Sequence, residues 1–401
     1  MRVRRVFCTA VLLVLAGAPP ALAGSPPLTA RLAHALAVRG LTAETSGAVA
    51  IDLTTGRPLF ERNPETSLAP ASNEKLPLTF SALRDLGVTY RFRTEVLGRG
   101  YQDGAVWVGD VYLKGFGDPT LSSLGLTQLA AQVKRAGIQQ IDGRVLGDES
   151  WFDTERTAPG WKASYFISEC PPLSALSVDR GVYDEHVALS PALAAAGQFR
   201  RLLRRRGITA GAAGTGRAPG DAYGLAQIES DPLPVVIAAM DHESDNFIAE
   251  ELLKTLGAEA GAGGTTAAGA AVVSRDLAAA GIPLAGVRIV DGSGLSLDDR
   301  LTARALSALL AYLWNDPDLR TPVWAALPVA GITGTLENRM ERAPARGTVH
   351  AKTGTTDRAS ALSGYVSDRY AFVVIENGTP VATIAARKAE DRFATALASS
   401  L

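Results

Sequence analysis

Segments with helical periodicity lie towards both ends of this 401-residue chain and enclose a middle region of short, strand-like runs. Before the middle region, a helix is predicted over residues 72–86, because apolar residues such as Leu76 and Phe80 recur at helical spacing. Between residues 90 and 150, glycines separate short apolar runs. Helical segments return after residue 233. This order predicts an α+β fold in which one domain is interrupted by a mostly β insertion.

The insertion divides the chain into a discontinuous domain, residues 24–92 and 232–401, and an inserted β-rich domain, residues 93–231. The length agrees with this division, since a single hydrophobic core stops growing at about 250–300 residues.

Further elements are predicted towards the end of the chain. A helix over residues 245–256 should end at Gly257, because glycine is favoured at helix C-caps. Residues 257–271 are almost all Gly, Ala and Thr and are predicted to form a surface loop. Three strands and a last helix are predicted over residues 349–353, 361–366, 370–375 and 389–401.

The N-terminus has the pattern of a secretory signal peptide. Three arginines within the first five residues precede an apolar run over residues 6–16, and Ala21-Leu22-Ala23 supplies the small residues that signal peptidase requires. The run is shorter than the roughly 20 residues that cross a membrane. We therefore predict that residues 1–23 are removed and that the mature protein is exported to the periplasm, the cell wall or the medium, without a transmembrane anchor.

Charge and metal-ligand content exclude other classes of function. The chain has 40 Lys+Arg against 41 Asp+Glu, a formal net charge of −1, so no nucleic acid partner is expected. Its four histidines lack metal-ligand spacing, and we expect no metal and no cofactor. Of the two cysteines, Cys8 lies in the predicted signal peptide, which leaves Cys170 alone and predicted to be buried.

Three short motifs carry candidate chemistry, and the first is Ser72-Asn73-Glu74-Lys75. Residues three apart share a face of a helix, so the Lys75 amine can reach the Ser72 hydroxyl. A serine hydroxyl becomes an effective nucleophile when a neighbouring base takes its proton. At a helix N-terminus, the helix dipole would also favour negative charge developing at Ser72. Pro77 lies one turn into this helix, which indicates that the regular helix starts after Ser72.

The second motif, Ser244-Asp245-Asn246, is predicted to begin a helix. Ser244 and Asn246 could point into one cleft, where the hydroxyl relays protons and the amide holds a carbonyl or amide group. The alternative is structural, since Ser244 could simply be the N-cap of the helix.

The third motif, Lys352-Thr353-Gly354, lies on a predicted edge strand. Lys352 would create a positive field for a carboxylate and disfavour protonation of Lys75. Gly354 would let a substrate backbone approach the strand. Edge-strand lysines also protect sheets against aggregation, which is the alternative interpretation. Each motif alone is common, but the ordered set is much more specific.

The order Ser-x-x-Lys, Ser-x-Asn, Lys-Thr-Gly resembles that of the penicillin-recognising serine enzymes. Longer stretches narrow the similarity to the D-alanyl-D-alanine carboxypeptidase/endopeptidases of the penicillin-binding protein 4 type, peptidase family S13. These stretches cover residues 70–75, 109–119, 158–161, 244–250, 291–296, 327–331, 334–336 and 351–355. The resemblance implies a β-lactamase/transpeptidase-like fold, with helices packed on an antiparallel sheet, for the discontinuous domain.

The resemblance also implies a reaction. Ser72 would attack the D-Ala-D-Ala peptide bond and become acylated, Lys75 would be the base, and the backbone N–H groups of Ser72 and Thr355 would form the oxyanion hole. D-Alanine would leave, and water would release the stem peptide. D-Ala-diaminopimelate crosslinks would be cut at the same site. β-Lactams would acylate Ser72 and stay, because their leaving group remains tethered.

Residues of the second and third motifs would bind the substrate, a peptidoglycan stem peptide. Ser244 and Asn246 would serve proton relay and substrate binding. Lys352 and Thr353 would bind the terminal carboxylate, and Gly354 would lie along the substrate backbone.

Two alternatives to a peptidase remain open. A serine β-lactamase shares the three motifs but needs an efficient deacylating base, and the sequence offers no clear glutamate for that role. A catalytically weak peptidoglycan-binding protein would keep the motifs around a decayed site. Ser164 stands where many relatives carry an acid that is thought to hold the diaminopimelate ammonium, and a serine cannot form that ion pair.

Overall fold

The computed structural model describes residues 26–183 and 185–401. The signal peptide predicted at residues 1–23 lies outside these ranges. Within the described part of the chain, no helix combines the length and the apolar character that crossing a membrane requires.

Helices and strands occur in three successive stretches. Before residue 90 they are α1 (Leu28–Ala35), β1 (Ser46–Asp52), β2 (Arg57–Arg62), a short 3-10 helix (Ala71–Glu74) and α2 (Lys75–Asp85). In the middle they are β3 (Arg93–Asp103), β4 (Val106–Gly115), α3 (Ser123–Arg135), β5 (Gln140–Asp142), β6 (Val145–Asp148), β7 (Val182–Tyr183), β8 (His186–Val187), α4 (Pro191–Arg205), β9 (Thr209–Ala210), β10 (Ala213–Thr215) and β11 (Tyr223–Glu229). From residue 233 onward they are α5 (Leu233–Glu243), α6 (Asn246–Glu259), α7 (Thr266–Ala279), α8 (Ala303–Asn315), α9 (Pro317–Ala326), β12 (Val349–Thr355), β13 (Ala359–Val366), β14 (Tyr370–Asn377) and α10 (Thr383–Ala398).

Strands from both ends of the chain form one five-stranded antiparallel sheet, in the order β12-β13-β14-β1-β2. Strand β1 pairs with β14 over its whole length, from Ser46 opposite Glu376 to Asp52 opposite Tyr370. This pairing joins the two ends of the chain, and the predicted α+β fold with an antiparallel sheet is confirmed. Strand β12, which carries the third motif, lies at the edge as predicted.

Helices cover both faces of this sheet, because its central strands are apolar on both sides. On β13, Ala361 and Tyr365 pack into a core with α2, α5, α6, α7, α8 and α9. Leu362 and Val366 point to the opposite face, where they pack with α1 and α10. As a result, α2 and the junction of α5 with α6 lie on the same side of the sheet, and these elements carry the first two motifs.

The middle of the chain forms a second, mixed sheet of seven strands. Strands β10, β6, β4, β3 and β11 follow one another across it, and β5 and β9 extend it beside β4. Strand β3 pairs antiparallel with β4 and β11, whereas β5, β6, β9 and β10 pair in parallel. Helices α3 and α4 bury Leu126, Val133 and Phe199 with Trp107 in a separate core. The boundaries at residues 93 and 231 stay a prediction.

The predicted helix end and surface loop at residues 257–271 are wrong. Helix α6 continues beyond Gly257, and α7 begins within the predicted loop. A Cβ atom at Gly257 would lie 2.7 Å from the carbonyl oxygen of Gly263, and one at Gly269 would lie 2.0 Å from the carbonyl oxygen of Leu253. These small residues therefore allow α6 and α7 to pack closely, a use that composition alone does not distinguish from a flexible loop.

The C-terminal elements are confirmed in kind but differ in length. Strand β12 extends two residues beyond its predicted end, to Thr355, and α10 begins at Thr383 rather than at residue 389. The residues added by these extensions include Thr355 and Arg387, and both lie at the wall of one pocket.

Candidate active site

Ser72 lies in the 3-10 helix that precedes α2. The residue before it, Ala71, has a positive φ of 47°, a conformation that costs a non-glycine residue about 1–3 kcal/mol. Gly294 packs against this turn, since a Cβ atom there would lie 1.9 Å from the carbonyl oxygen of Ala71. Ser72 therefore lies on a strained turn before the regular helix, at the wall of a pocket.

Pro77 does not disturb α2. Because the α-helix begins at Lys75, Pro77 is its third residue, where a backbone N–H group would have no partner within the helix. The prediction that the regular helix starts after Ser72 is confirmed.

Lys75 is completely buried beneath the pocket. Its Nζ atom donates hydrogen bonds to Ser72 Oγ at 3.1 Å, to Asn246 Oδ1 at 2.9 Å and to the Ser293 carbonyl oxygen at 2.8 Å. Burial lowers the pKa of Lys75 from the ordinary lysine value, and nearby buried carboxyl groups oppose that shift. A lysine with an accessible neutral form, in contact with the serine hydroxyl, can act as its base.

Ser244 lies between α5 and α6 in a left-handed conformation, with φ 58° and ψ 39°. The N-cap of α6 is Asp245, whose carboxylate accepts a hydrogen bond from the Ile248 N–H at 2.9 Å. The interpretation of Ser244 as the N-cap is therefore wrong. Its hydroxyl instead accepts a hydrogen bond from Lys352 Nζ at 2.8 Å, which connects the second motif to the third.

Asn246 connects the second motif to the first. Its Oδ1 atom accepts the hydrogen bond from Lys75, and its Nδ2 atom donates to the Glu169 carbonyl oxygen at 3.1 Å. The amide is thus held at both ends, and its orientation follows from these two partners.

Lys352 lies on the edge strand β12, yet its side chain is fully buried. Besides Ser244, its Nζ atom contacts the Thr353 carbonyl oxygen at 3.0 Å. Burial, and then the positive charge of Lys75, lower the pKa of Lys352 to about 7. The alternative of a solvent-exposed lysine that protects the sheet edge is therefore wrong.

A carboxyl group that none of the three motifs indicates lies close to both lysines. Asp241, in the last turn of α5, is buried and accepts a hydrogen bond from Thr79 Oγ1 at 3.0 Å. Burial raises the pKa of Asp241 to about 6, against the opposing effect of Lys352 and Lys75. An acid that directly follows an apolar helical run, three residues before Ser244, is the sequence signal that could have identified it.

The three motifs meet at a pocket of about 430 Å³. The side chains at its wall are mostly polar: Ser72, Glu169, Ser244, Asn246, Leu295, Thr335, Asn338, Arg339, Thr353, Thr355 and Arg387. Gly354 is absent from this wall, and a Cβ atom there would lie 2.9 Å from the Pro70 carbonyl oxygen. The glycine therefore lets β12 approach the turn that carries Ser72.

Some pocket residues had a sequence signal and others had none. Thr335 belongs to one of the stretches that carry the family resemblance, and its hydroxyl shares a hydrogen bond of 2.7 Å with Thr353 Oγ1. Arg387 lies on α10, well beyond the third motif, in a segment without any recognisable pattern. Ser164 is exposed and lies outside the pocket wall.

A loop at residues 291–296 supplies the carbonyl group that holds Lys75. Asp291 organises this loop by accepting hydrogen bonds from the Trp161 indole N–H at 2.8 Å and from the backbone N–H groups of Gly294 and Ser296, both at 2.7 Å.

Glu250 supports the same loop from α6. Its Oε1 atom accepts hydrogen bonds from the N–H groups of Ser293 at 2.8 Å and Gly292 at 3.1 Å. Burial, together with the charge of Asp291, raises the pKa of Glu250 to about 8. Buried acids thus fix the backbone on which the lysine depends.

The remaining predictions concern cysteine and metal. Cys170 is buried as predicted, and burial raises the pKa of its thiol. Within residues 26–183 and 185–401, no group of three or more His, Cys, Asp or Glu side chains is placed to hold a metal ion.

Comparisons with known proteins agree with this geometry. The chain matches the model of the D-Ala-D-Ala carboxypeptidase 3 (S13) family over residues 28–192 and 186–400. It is 32% identical to the D-alanyl-D-alanine carboxypeptidase of Actinomadura sp. (strain R39), over 91% of this chain and 85% of that relative. It is also 32% identical to a carboxypeptidase of Mycobacterium tuberculosis, over 86% of this chain and 78% of that relative.

Solved structures share the fold. Penicillin-binding protein 4 from Haemophilus influenzae matches with a TM-score of 0.81 at 22% identity, over 93% of this chain and 98% of that chain. The penicillin G-acylated endopeptidase Bd3459 of Bdellovibrio bacteriovorus matches with a TM-score of 0.53 at 19% identity, over 88% of this chain and 89% of that chain. Since the family match covers nearly all described residues, the chain belongs to the D-Ala-D-Ala carboxypeptidase 3 (S13) family, and the resemblance found in its motifs is confirmed.

Proposed function

We propose that this protein is an exported serine DD-peptidase that removes the terminal D-alanine from peptidoglycan stem peptides and also cleaves D-Ala-diaminopimelate crosslinks. The observation that carries the proposal is the contact of Lys75 Nζ with Ser72 Oγ, at 3.1 Å, in a pocket that residues of all three motifs line. Export is supported by the signal-peptide pattern of residues 1–23.

In the acylation step, neutral Lys75 takes the proton of the Ser72 hydroxyl while Oγ bonds to the carbonyl carbon of the penultimate D-alanine. Backbone N–H groups of Ser72 and Thr355 stabilise the oxyanion that forms. The peptide C–N bond then breaks, and the proton that Lys75 received passes to the leaving nitrogen through the hydroxyl of Ser244, which Lys352 holds at 2.8 Å. Lys75 is thereby neutral again before deacylation.

In the deacylation step, a water molecule adds its oxygen to the acyl carbon and gives up a proton to Lys75. The bond to Ser72 Oγ breaks, and Oγ regains its proton, which releases the shortened stem peptide. Asn246 holds the acyl part of the substrate in both steps, and the terminal carboxylate binds at Thr353 on the pocket wall, close to the charge of the buried Lys352. A β-lactam acylates Ser72 in the same way and remains bound, since its leaving group stays attached through the opened ring.

The test combines product analysis with mass spectrometry of the mature wild-type protein. We expect D-alanine release from a stem pentapeptide and a benzylpenicillin adduct that persists for hours. An adduct that forms and rapidly disappears, together with fast nitrocefin turnover, would instead identify a β-lactamase. Tight muropeptide binding without D-alanine release would identify a non-catalytic binding protein.

The position of Glu169 bears on the β-lactamase alternative. It lies at the pocket wall, where an acid could direct a water molecule towards an acyl-enzyme. Asn246 contacts its backbone carbonyl oxygen, whereas no hydrogen bond joins its carboxylate to another residue of the described chain. The carboxylate is thus not fixed against the site, which favours slow deacylation and the peptidase assignment.

The loop that holds Lys75 provides a separate prediction. We expect Asp291→Asn to lower the free energy of unfolding by about 2–3 kcal/mol, because the amide NH2 group cannot accept the hydrogen bonds that one carboxylate oxygen receives from Trp161 and Ser296. Penicillin labelling should also slow, since the Ser293 carbonyl oxygen is displaced from Lys75. Urea unfolding and the labelling time course measure the two effects.

The control for this variant is Asp298→Asn. Asp298 lies close by in sequence, but its exposed carboxylate pairs with Arg288 at 3.3 Å on the surface, so its loss should cost less than about 1 kcal/mol. Similar losses of stability and of labelling rate in both variants would contradict the role assigned to Asp291.

A further inference from the structure

Helix α4, which packs against the mixed sheet, carries a cluster of arginines that the proposed reaction does not use. Arg200, Arg201, Arg204 and Arg205 lie towards its C-terminal end, and Arg206 follows it. The helix contains neither Asp nor Glu, so it offers these arginines no carboxylate one turn away. Like charges four residues apart destabilise a helix, and two such pairs occur here. The cluster therefore works against the helix that carries it.

Stabilisation of the helix end accounts for only part of this cluster. Arg204 and Arg205 lie in the last turn, where positive charge favours the helix dipole. Arg200 donates a hydrogen bond to the Gly211 carbonyl oxygen. Among the residues that the structure describes, however, neither Arg201 nor Arg205 forms an ion pair with a carboxylate. The charges of these two exposed side chains are available to a ligand.

Arg201 and Arg205 line a groove of about 640 Å³ between α3 and α4. Its other lining residues are polar or apolar, and none is acidic: Ser123, Leu124, Thr127, Gln198 and Leu202. Asp179 borders the groove, but its carboxylate caps α3 by accepting hydrogen bonds from the Ser123 N–H at 3.2 Å. The groove is thus a concave surface with positive charge along one side. We refer to these seven lining residues as the basic groove.

Positive charge continues beyond the basic groove. Arg204 and Arg206 are exposed at the end of α4. Lys134 of α3 approaches the same end, since a Cβ atom at Gly207 would lie 3.9 Å from Lys134 Nζ. Residues four apart on a helix are separated by about 6 Å along its axis. A row of cations at this spacing is longer than one small anion requires, and it suits a chain with regularly repeated anionic groups.

We propose that the basic groove binds a linear polyol-phosphate polymer of the cell envelope. Guanidinium groups offer paired N–H donors that match phosphate oxygens, and they stay charged at every pH of interest. A concave groove can hold a single polymer chain along its length, whereas a membrane surface is flat and would contact only its rim. The exposed side chain of Leu124 would contact the carbon atoms between successive phosphates.

This binding site is separate from the active site, because the two cavities share no lining residue. Only the location of the polymer rests on the proposed function, which includes export. A chain held at the basic groove would keep the peptidase close to the envelope without taking part in its reaction. Changes in the groove should therefore affect polymer binding and leave acylation of Ser72 at the wild-type rate.

The test measures binding of the mature protein to fluorescently labelled poly(glycerol phosphate) by anisotropy. We expect the affinity to fall as salt increases, since bound arginines displace counterions from the polymer. The double variant Arg201→Gln/Arg205→Gln should raise Kd by about 25-fold, because each arginine near an anionic surface contributes about a factor of five. The control is Arg99→Gln/Arg217→Gln, which removes the same charge from exposed positions outside the groove and should change Kd much less.

Three outcomes would overturn the proposal. An equal loss of affinity in both double variants would show that only net charge matters. Binding of inorganic phosphate as tightly as the polymer would exclude recognition of a chain. Tighter binding to vesicles of equal parts phosphatidylglycerol and phosphatidylcholine, with the same dependence on Arg201 and Arg205, would identify a membrane surface instead. Benzylpenicillin labelling at the wild-type rate verifies that each variant is folded, and absence of D-alanine release by the wild type would refute the proposed peptidase function while leaving the binding result intact.

Discussion

The Ser72→Ala variant is expected to form no benzylpenicillin adduct and to release no D-alanine, while its thermal stability stays close to that of the wild type. The hydroxyl oxygen is the atom that bonds to the acyl carbon, so its removal abolishes the covalent step rather than slowing it. Ser72 is held in place by its backbone turn, and within residues 26–183 and 185–401 its hydroxyl group forms a hydrogen bond with Lys75 alone. Intact-mass spectrometry after hours with excess benzylpenicillin measures the adduct directly.

The matched control is Ser81→Ala, which removes a buried hydroxyl group further along α2 that does not belong to the pocket wall. It should leave the adduct at full occupancy. An adduct of the same mass in Ser72→Ala would show that another residue is acylated, and the assignment of the nucleophile would then be wrong.

The second large effect is expected for Lys75→Gln, which should lower the rate of acylation of Ser72 by about 10³-fold, within the range of a lost general base. The amide can still accept or donate hydrogen bonds to Ser72 and Asn246, but it cannot take a proton at neutral pH. Lys254→Gln is the control, since Lys254 is also buried but contacts Asp153, at 2.5 Å, away from the pocket. Stopped-flow measurement of β-lactam acylation gives both rates.

The pH dependence of the acylation rate shows whether Lys75→Gln removes the base or only disturbs the geometry of the site. Lysine is active here as the neutral amine, so wild-type acylation should increase with pH, with a midpoint below the ordinary lysine value because burial lowers the pKa of Lys75. In Lys75→Gln, the increase of the acylation rate with pH should disappear, in addition to the overall decrease in that rate. A variant that is slow but keeps the wild-type pH profile would contradict the role of Lys75 as base.

Within the first motif, the sequence was sufficient to predict the contact. Ser72 and Lys75 are three residues apart, and any helical turn, whether 3-10 or α, places such side chains on one face. The predicted contact is found at 3.1 Å although the turn differs from the predicted helix. The three strands predicted over residues 349–353, 361–366 and 370–375 are likewise found in the five-stranded sheet as β12, β13 and β14.

The spacing of residues along the chain could not predict the contacts between different motifs. Lys75 meets Asn246 across 171 residues, and Lys352 meets Ser244 across 108 residues. The motif order suggested these pairs through family resemblance, but their geometry depends on how α2, α5, α6 and β12 pack on each other. The glycine-rich segment at residues 257–271 shows the same limit, since close packing of two helices selects small residues just as a loop does.

The sequence by itself determined the contact between Ser72 and Lys75, the order of the three motifs and the α+β fold class, because each of these rests on local spacing or on the order of elements along the chain. Only the tertiary structure decided that Asp241 lies close to the two lysines, that Asp291 holds the loop beneath Lys75 and that Arg387 faces the pocket. These three residues come from elements that are distant along the chain. They act through charge and hydrogen bonds across short distances in space, which no periodicity in the chain encodes.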